Sequence, residues 1–218
     1  MIRPALTALA LLAAPAAPRA APTEIPLPAP SREGKVSVEA ALAARRSVRT
    51  YTDKALTLVE VGELLWAAQG VTGPEGRRTA PSAKRRYALE VAVVAQNVVG
   101  LARGAYRYRP AEHALVLLTP GREGTPLLSA ATTQPQVSAA PAVFVVAVVY
   151  GRLGTGPRDR TYGDFEAGLA SENLLLEAVS LGLGGVVTGG IDPAGAKEAV
   201  KLAEGEEVVV LIPVGHPG

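Results

Sequence analysis

Residues 143–150, VFVVAVVY, form an almost continuous apolar run, the pattern of a strand buried on both faces. Residues 89–95 and 208–214 repeat that pattern, and residues 186–187 predict a further short strand. Residues 106–109 and 115–118 flank the polar Ala111, Glu112 and His113, which predicts a hairpin. Elsewhere the apolar spacing is helical. Leu58, Val61, Leu65 and Ala68 recur behind a capping box in which Thr57 caps and Glu60 reaches back, and Gly70 ends the helix. Residues 164–181 give the longest helix, with Leu169, Ala170, Leu174, Leu176 and Val179 on one broad stripe.

Residues 36–44 read as a short helix capped by Ser37, residues 123–131 as another, and Asp192-Pro193 opens a helix to about residue 202. Residues 70–82 are too rich in Gly, Pro and Arg for core and read as a loop. Helices mixed with strands in this order predict an α+β domain, a central mixed β-sheet flanked by helices.

At 218 residues and 48% hydrophobic, the chain supports one domain with a sizeable core. The N-terminus changes that picture locally. Arg3 precedes an apolar run from Ala5 to Ala14, and small residues follow, so residues 1–21 read as a signal peptide and the protein as exported, periplasmic or secreted. The run is short of the ~20 apolar residues a spanning helix needs, so no stable membrane insertion is expected after cleavage. A proline-rich extended arm or linker covers residues 22–35, and the domain covers 36–218. Loss of Arg3 and Arg19 takes the formal charge from +2 to 0, and no Lys/Arg stripe favours nucleic acid.

Absent cysteines exclude disulfides, thiolate nucleophiles, zinc–thiolate sites and iron–sulfur clusters. His113 and His216 stand in no recognisable motif, are expected to be solvent-exposed and uninvolved, and leave no metal site predicted. The glycine-rich residues 182–190 follow a helix and precede a strand, the reverse of a dinucleotide fingerprint, and residues 151–159 lack its third glycine. No P-loop and no GxSxG elbow occurs.

Two cationic stretches remain. RRSVRTY packs Arg45, Arg46 and Arg49 behind a helix, where they either complement the helix end or bind an anion such as phosphate. Pro81-Ser82-Ala83 sits among Arg77, Arg78, Lys84, Arg85 and Arg86, either a solvated loop or a second wall of the same anion site. With binding groups abundant and acid–base pairs scarce, the chemistry would be carried by a cofactor.

In order, RRSVRTY, LLWAAQGVTGPEGRRTAPSA, YALEVAVVA, GAYRYRPAEHAL, YGDFEAGLASENLLLEAVSLGLGGVVTGGID and LIPVGHP resemble the FMN-dependent nitroreductase family, most closely its SagB-type dehydrogenase branch. The resemblance covers residues 36–217 and implies an intertwined homodimer with FMN at the subunit interface. It places Arg45, Arg46, Ser47 and Arg49 on the FMN phosphate and ribityl chain. It assigns Pro81, Ser82 and Ala83 to the loop that reaches the flavin from the partner subunit, and Gly189 and Gly190 to the isoalloxazine, where a main-chain N–H faces N5.

The implied function is an FMN-dependent oxidoreductase passing electrons between an unidentified donor and a small organic substrate, by nitro, quinone or heterocycle-dehydrogenation chemistry. A non-catalytic flavin- or ligand-binding protein on the same fold is the alternative. NAD(P)H is a candidate donor, although an exported protein would meet little of it. Lys84, Arg85 and Arg86 stand where the branch usually has glycine and small or apolar residues, which sets a bulky cationic patch near the flavin entrance.

Overall fold

The computed structural model describes residues 24–124 and 126–218. The expected signal segment and the first two residues of the expected arm lie outside these. In chain order the elements are β1 (Glu24–Pro26), α1 (Val38–Ala44), β2 (Leu56–Thr57), α2 (Leu58–Gln69), β3 (Val71–Gly73), β4 (Arg77–Arg78), β5 (Leu89–Ala95) and β6 (Val98–Val99). There follow β7 (Gly104–Arg109), β8 (Ala114–Pro120), α3 (Pro135–Ala139), β9 (Ala142–Val148), α4 (Asp159–Ser180), β10 (Gly184–Gly185), α5 (Pro193–Val200) and β11 (Glu207–Gly215).

Seven strands form one sheet in the order β1-β8-β7-β5-β9-β11-β10. Its named strands pair antiparallel. The parallel contribution comes at the edge, where Ser47 bridges to Gly185, and from the separate β2–β6 pair. Every residue of β9 is buried because both faces of the sheet are covered. Phe144, Val146 and Val148 join a core with α2 and α4, while Val143, Val145 and Ala147 join a second core with α3 and α5. Antiparallel sheets often leave one face to water and then alternate in polarity; covering both faces removes that alternation.

The capping box forms as predicted: Thr57 Oγ1 accepts from the Glu60 N–H at 3.2 Å, and Glu60 Oε2 accepts from the Thr57 N–H at 2.7 Å. Gly70 ends α2, but its backbone is not left-handed. A Cβ there would lie 2.0 Å from Trp66 Cδ1, so close approach of the indole requires the glycine.

Four local predictions need correction. In the predicted helix over 123–131, residues 123–124 and 127–131 form turns instead: Gly124 adopts φ +71°, and three-residue bonds (Ser129 N–H to Pro126 O, Ala131 N–H to Leu128 O) replace the helical ladder. α4 begins at Asp159, five residues before the predicted start at 164. Its apolar stripe divides, with Ala170 and Leu174 buried and Leu169 47% exposed. The loop over residues 70–82 contains the paired strands β3 and β4. The strand predicted at 186–187 falls instead on Gly184–Gly185.

Candidate functional site

Residues 45–51 run extended between two partners, which positions the first arginine group. On one side Ser47 bridges to Gly185, and the Val48 N–H donates to Gly185 O at 3.0 Å. On the other, Tyr51 bridges to Pro217, and the Gly218 N–H donates to Thr50 O at 3.1 Å. Val48 packs so closely on β10 that a Cβ at Gly184 would sit 2.5 Å from its Cγ2. The Tyr51 hydroxyl donates toward Val48 O (2.9 Å) and Pro213 O (3.1 Å), and burial pushes its pKa up, so it remains a phenol donor.

The three arginines have different employments. Arg46 Nη1 donates to Ala43 O (2.9 Å) and Arg45 O (2.7 Å), satisfying carbonyls at the end of α1. Arg45 Nε pairs with Glu172 Oε1 on α4 at 3.2 Å. Arg49 is exposed and has no ion-pair or hydrogen-bond partner among the described residues, and the same holds for the exposed Ser47 hydroxyl. The helix end is therefore complemented by Arg46 alone, and Arg49 is left without a partner among the described residues.

From β10 the chain passes Val186 and reaches Thr188, which pairs with Leu211 of β11 through both main-chain groups at 2.8 and 3.0 Å. Gly189 and Gly190 come next, both exposed. Gly190 O accepts from Thr132 Oγ1 (3.0 Å) and Gln134 Nε2 (3.1 Å). Neither glycine spends its N–H on another group among the described residues. A Cβ at Gly189 would meet open space, and one at Gly190 would collide with Gln134 Nε2 at 2.8 Å. The Thr188 hydroxyl beside them is buried without a partner.

Pro81, Ser82 and Ala83 are elsewhere, held by a residue the sequence reading missed. Glu166 of α4, 4% exposed, accepts from Ser82 Oγ at 3.0 Å and from the Ala83 N–H at 2.7 Å. Ser82 Oγ also accepts from the Tyr87 N–H at 2.7 Å, so that hydroxyl is fully occupied within the chain. A signal was present: Glu166 falls in phase with Gly163, Ala167, Ala170 and Leu174 on the buried face of α4. Among the described residues no hydrogen bond or ion pair joins this loop to Arg45–Arg49 or to Gly189–Gly190. The strip thus pairs with Gly185, four residues before Gly189, while the Pro81–Ala83 loop is tied to α4 through Glu166.

The histidines depart from expectation, because both are half-buried. His113 Nδ1 lies 2.9 Å from the Tyr108 hydroxyl and Nε2 lies 2.9 Å from Pro28 O, tying the hairpin turn to the N-terminal segment. His216 Nε2 is buried, 3.8 Å from Glu60 Oε1.

Residues 42–216 match the family model described as the Nitroreductase family. A relative from Methanocaldococcus jannaschii, named as a candidate nitroreductase, is 38% identical over 184 residues, covering 84% of this chain and 92% of its own. A structure from Ralstonia eutropha, titled likewise, superposes with a TM-score of 0.77 at 32% identity, over 89% of this chain and 90% of that one. The NADPH:FMN oxidoreductase of Vibrio harveyi, complexed with NAD+, shares the fold at a TM-score of 0.59 and 20% identity, over 83% of this chain and 68% of that one. With the sheet, the strip along its edge and these matches together, the chain belongs to the nitroreductase family and has its fold.

Proposed function

We propose that this protein is an FMN-dependent oxidoreductase, of the SagB-type branch, acting on a small organic substrate of the nitro, quinone or oxidisable-heterocycle kind. The observation that carries the reading is the unspent donor set on one strip. Arg49 and the Ser47 hydroxyl are exposed and without partners, and the chain beside them leads through β10 to two free glycine N–H groups. That set fits FMN: a guanidinium and a hydroxyl for a phosphate, and a side-chain-free surface with N–H donors for a flat ring.

Arg49 and Ser47 bind and orient the phosphate end. Gly189 and Gly190 admit the ring and present main-chain N–H groups to it. FMN supplies, when bound, the two-electron carrier that no side chain of this cysteine-free sequence provides. Arg45 and Arg46 act through position, one holding the strip to α4 and the other closing α1.

A homodimer completes the site in this reading. Val38 and Leu42 of α1 and Phe165 and Leu169 of α4 expose 66%, 55%, 56% and 47% of their surfaces on helices that pack together. Such an apolar face fits an interface, and a second copy's Pro81–Ala83 loop would then approach the flavin through Pro81, since Ser82 is engaged by Glu166. Export by the N-terminal segment belongs to the same proposal and makes an electron carrier other than NAD(P)H the favoured donor.

Purification of the native protein tests it. A yellow protein, bleached by dithionite and reoxidised with turnover by a nitroaromatic or quinone, is expected. A colourless protein whose thermal stability does not change with excess FMN overturns the reading.

A further inference from the structure

Away from the strip and the glycine pair lies a cavity of about 610 Å³, walled by the start of β5, the β7–β8 turn and the segment following α5. That volume is within the roughly 300–1,000 Å³ common for small-molecule sites. None of Arg45, Ser47, Arg49, Pro81, Gly189 or Gly190 lines it. Its walls carry five cations, Arg78, Arg107, Arg109, Arg152 and Lys201, against the three carboxylates of Glu90, Glu112 and Glu206, and with Lys201 offset by Glu198 outside the cavity the excess is one positive charge.

The carboxylates are all committed. Glu90 Oε1 pairs with Arg152 at 2.5 Å and Oε2 with Arg107 at 2.8 Å. Arg107 continues to Glu206 Oε2 at 2.7 Å, which also accepts from the Ala203 N–H at 2.8 Å. Glu112 faces Arg109 at 3.5 Å, and Lys201 pairs with Glu198 outside the cavity. Arg78 is the cation left over. Its Nη1 donates to the neutral Gln69 Oε1 at 2.9 Å, and its guanidinium lies 4.7 Å from the centre of the Tyr87 ring. It forms no ion pair among the described residues. Burial pulls its pKa below the usual guanidinium range; Glu90 opposes that only at a distance, both of its oxygens being bonded to other arginines.

A half-buried guanidinium with unspent planar donors, in a cavity of surplus positive charge, is matched by an oxyanion. We infer that this cavity is a second ligand site, which takes a small organic molecule through a carboxylate or phosphate group seated on Arg78. Leu89, Val91 and Leu118 supply apolar wall for the rest of such a molecule. The site stands independently of the FMN reading.

The test is calorimetric titration of succinate, and separately of inorganic phosphate, into the purified full-length protein after saturation with FMN. Saturable binding of at least one anion is expected. Arg78→Gln should weaken it at least tenfold, about 1.4 kcal/mol, while Arg49→Ala should leave it in place. Ala111→Trp, which obstructs the cavity from an exposed rim position, gives a second route to the same loss should Arg78→Gln fail to fold. A response to succinate alone assigns a carboxylate ligand, and one to phosphate alone a phosphate ligand. No saturable binding of either anion overturns the inference, as does binding that survives Arg78→Gln and Ala111→Trp or disappears with Arg49→Ala. A colourless protein that still binds succinate retains this site and loses only the flavin.

Discussion

The strip at Arg45–Arg49 and the loop at Arg77–Arg86 are both arginine-rich, and both contain a serine between cations. Their backbones are held by opposite means. The strip is pinned by main-chain pairing to Gly185 and to residues 216–218, which leaves Ser47 and Arg49 free. The loop is held by a buried side chain, Glu166, and bends through positive φ at Lys84, Arg85 and Tyr87, consuming the Ser82 hydroxyl in the process. Its cations are then partly paired, Arg85 with Glu75 at 2.7 Å and Lys84 with Asp159 at 3.8 Å. Where the main chain secures itself, the serine between the cations stays available to a ligand; where a side chain does the securing, that serine is consumed.

Four variants can break or sharpen that contrast. The largest effect is expected from Glu166→Ala, which strips the loop of its acceptor and leaves the Ser82 hydroxyl and Ala83 N–H unsatisfied. Denaturant unfolding should show a loss of about 3 kcal/mol. A loss below about 0.5 kcal/mol would mean the loop is held by something else.

Arg49→Ala should leave unfolding unchanged but weaken FMN by about 2 kcal/mol, a charge-assisted bond's worth, read by flavin fluorescence titration. Equal FMN affinity in the two proteins would remove the phosphate role from the strip.

Glu177 provides a contrast within α4, whose Glu166 and Glu172 each hold one of the two regions. Burial first, and Glu63 second, push its carboxyl up to about 7. A folded-state pKa above the unfolded one means that the folded chain keeps a proton the unfolded chain releases. Stability should therefore fall as pH rises from the ordinary carboxylate range through 7. Glu177→Gln should flatten that profile by about 1 kcal/mol, allowing for screening of a half-exposed group. A profile identical to wild type between pH 4.5 and 7 would contradict it.

The smallest effect belongs to Arg46→Ala, about 0.5 kcal/mol of stability from the end of α1, with a smaller loss of FMN affinity than Arg49→Ala. An FMN loss as large as that of Arg49→Ala would show that the helix-end bonds open for the ligand.

What could be read in the sequence follows the range of the interactions. β5 and β9 were legible because a run of valine has few other places to go, and the Thr57–Glu60 box because all its partners lie within three residues. The early start of α4 depends on distant packing, since a Cβ at Gly163 would touch Val148 Cγ1 at 2.7 Å. β1 at the sheet edge depends on β8, ninety residues further along. The motifs in order placed the family, and the strip pairs with Gly185 at the sheet edge. How the arginines are employed was not legible, because it turns on Glu172 and on the carbonyls ending α1. Glu166 shows the same limit: its phase on the helix marks it as buried, and nothing nearby in sequence names its partner.

The ladder along the strip has a kinetic consequence. The Val48 and Thr52 amides donate to Gly185 O and His216 O, each at 3.0 Å, and so belong to the sheet's own network. Their hydrogens should exchange with solvent only when the sheet edge separates, on the slow timescale of subglobal opening. Binding residues are usually carried on segments that breathe freely. Here Arg49 lies between two slowly exchanging amides, so a ligand seated on it would depart at a rate set by its own bonds rather than by the opening of a flap.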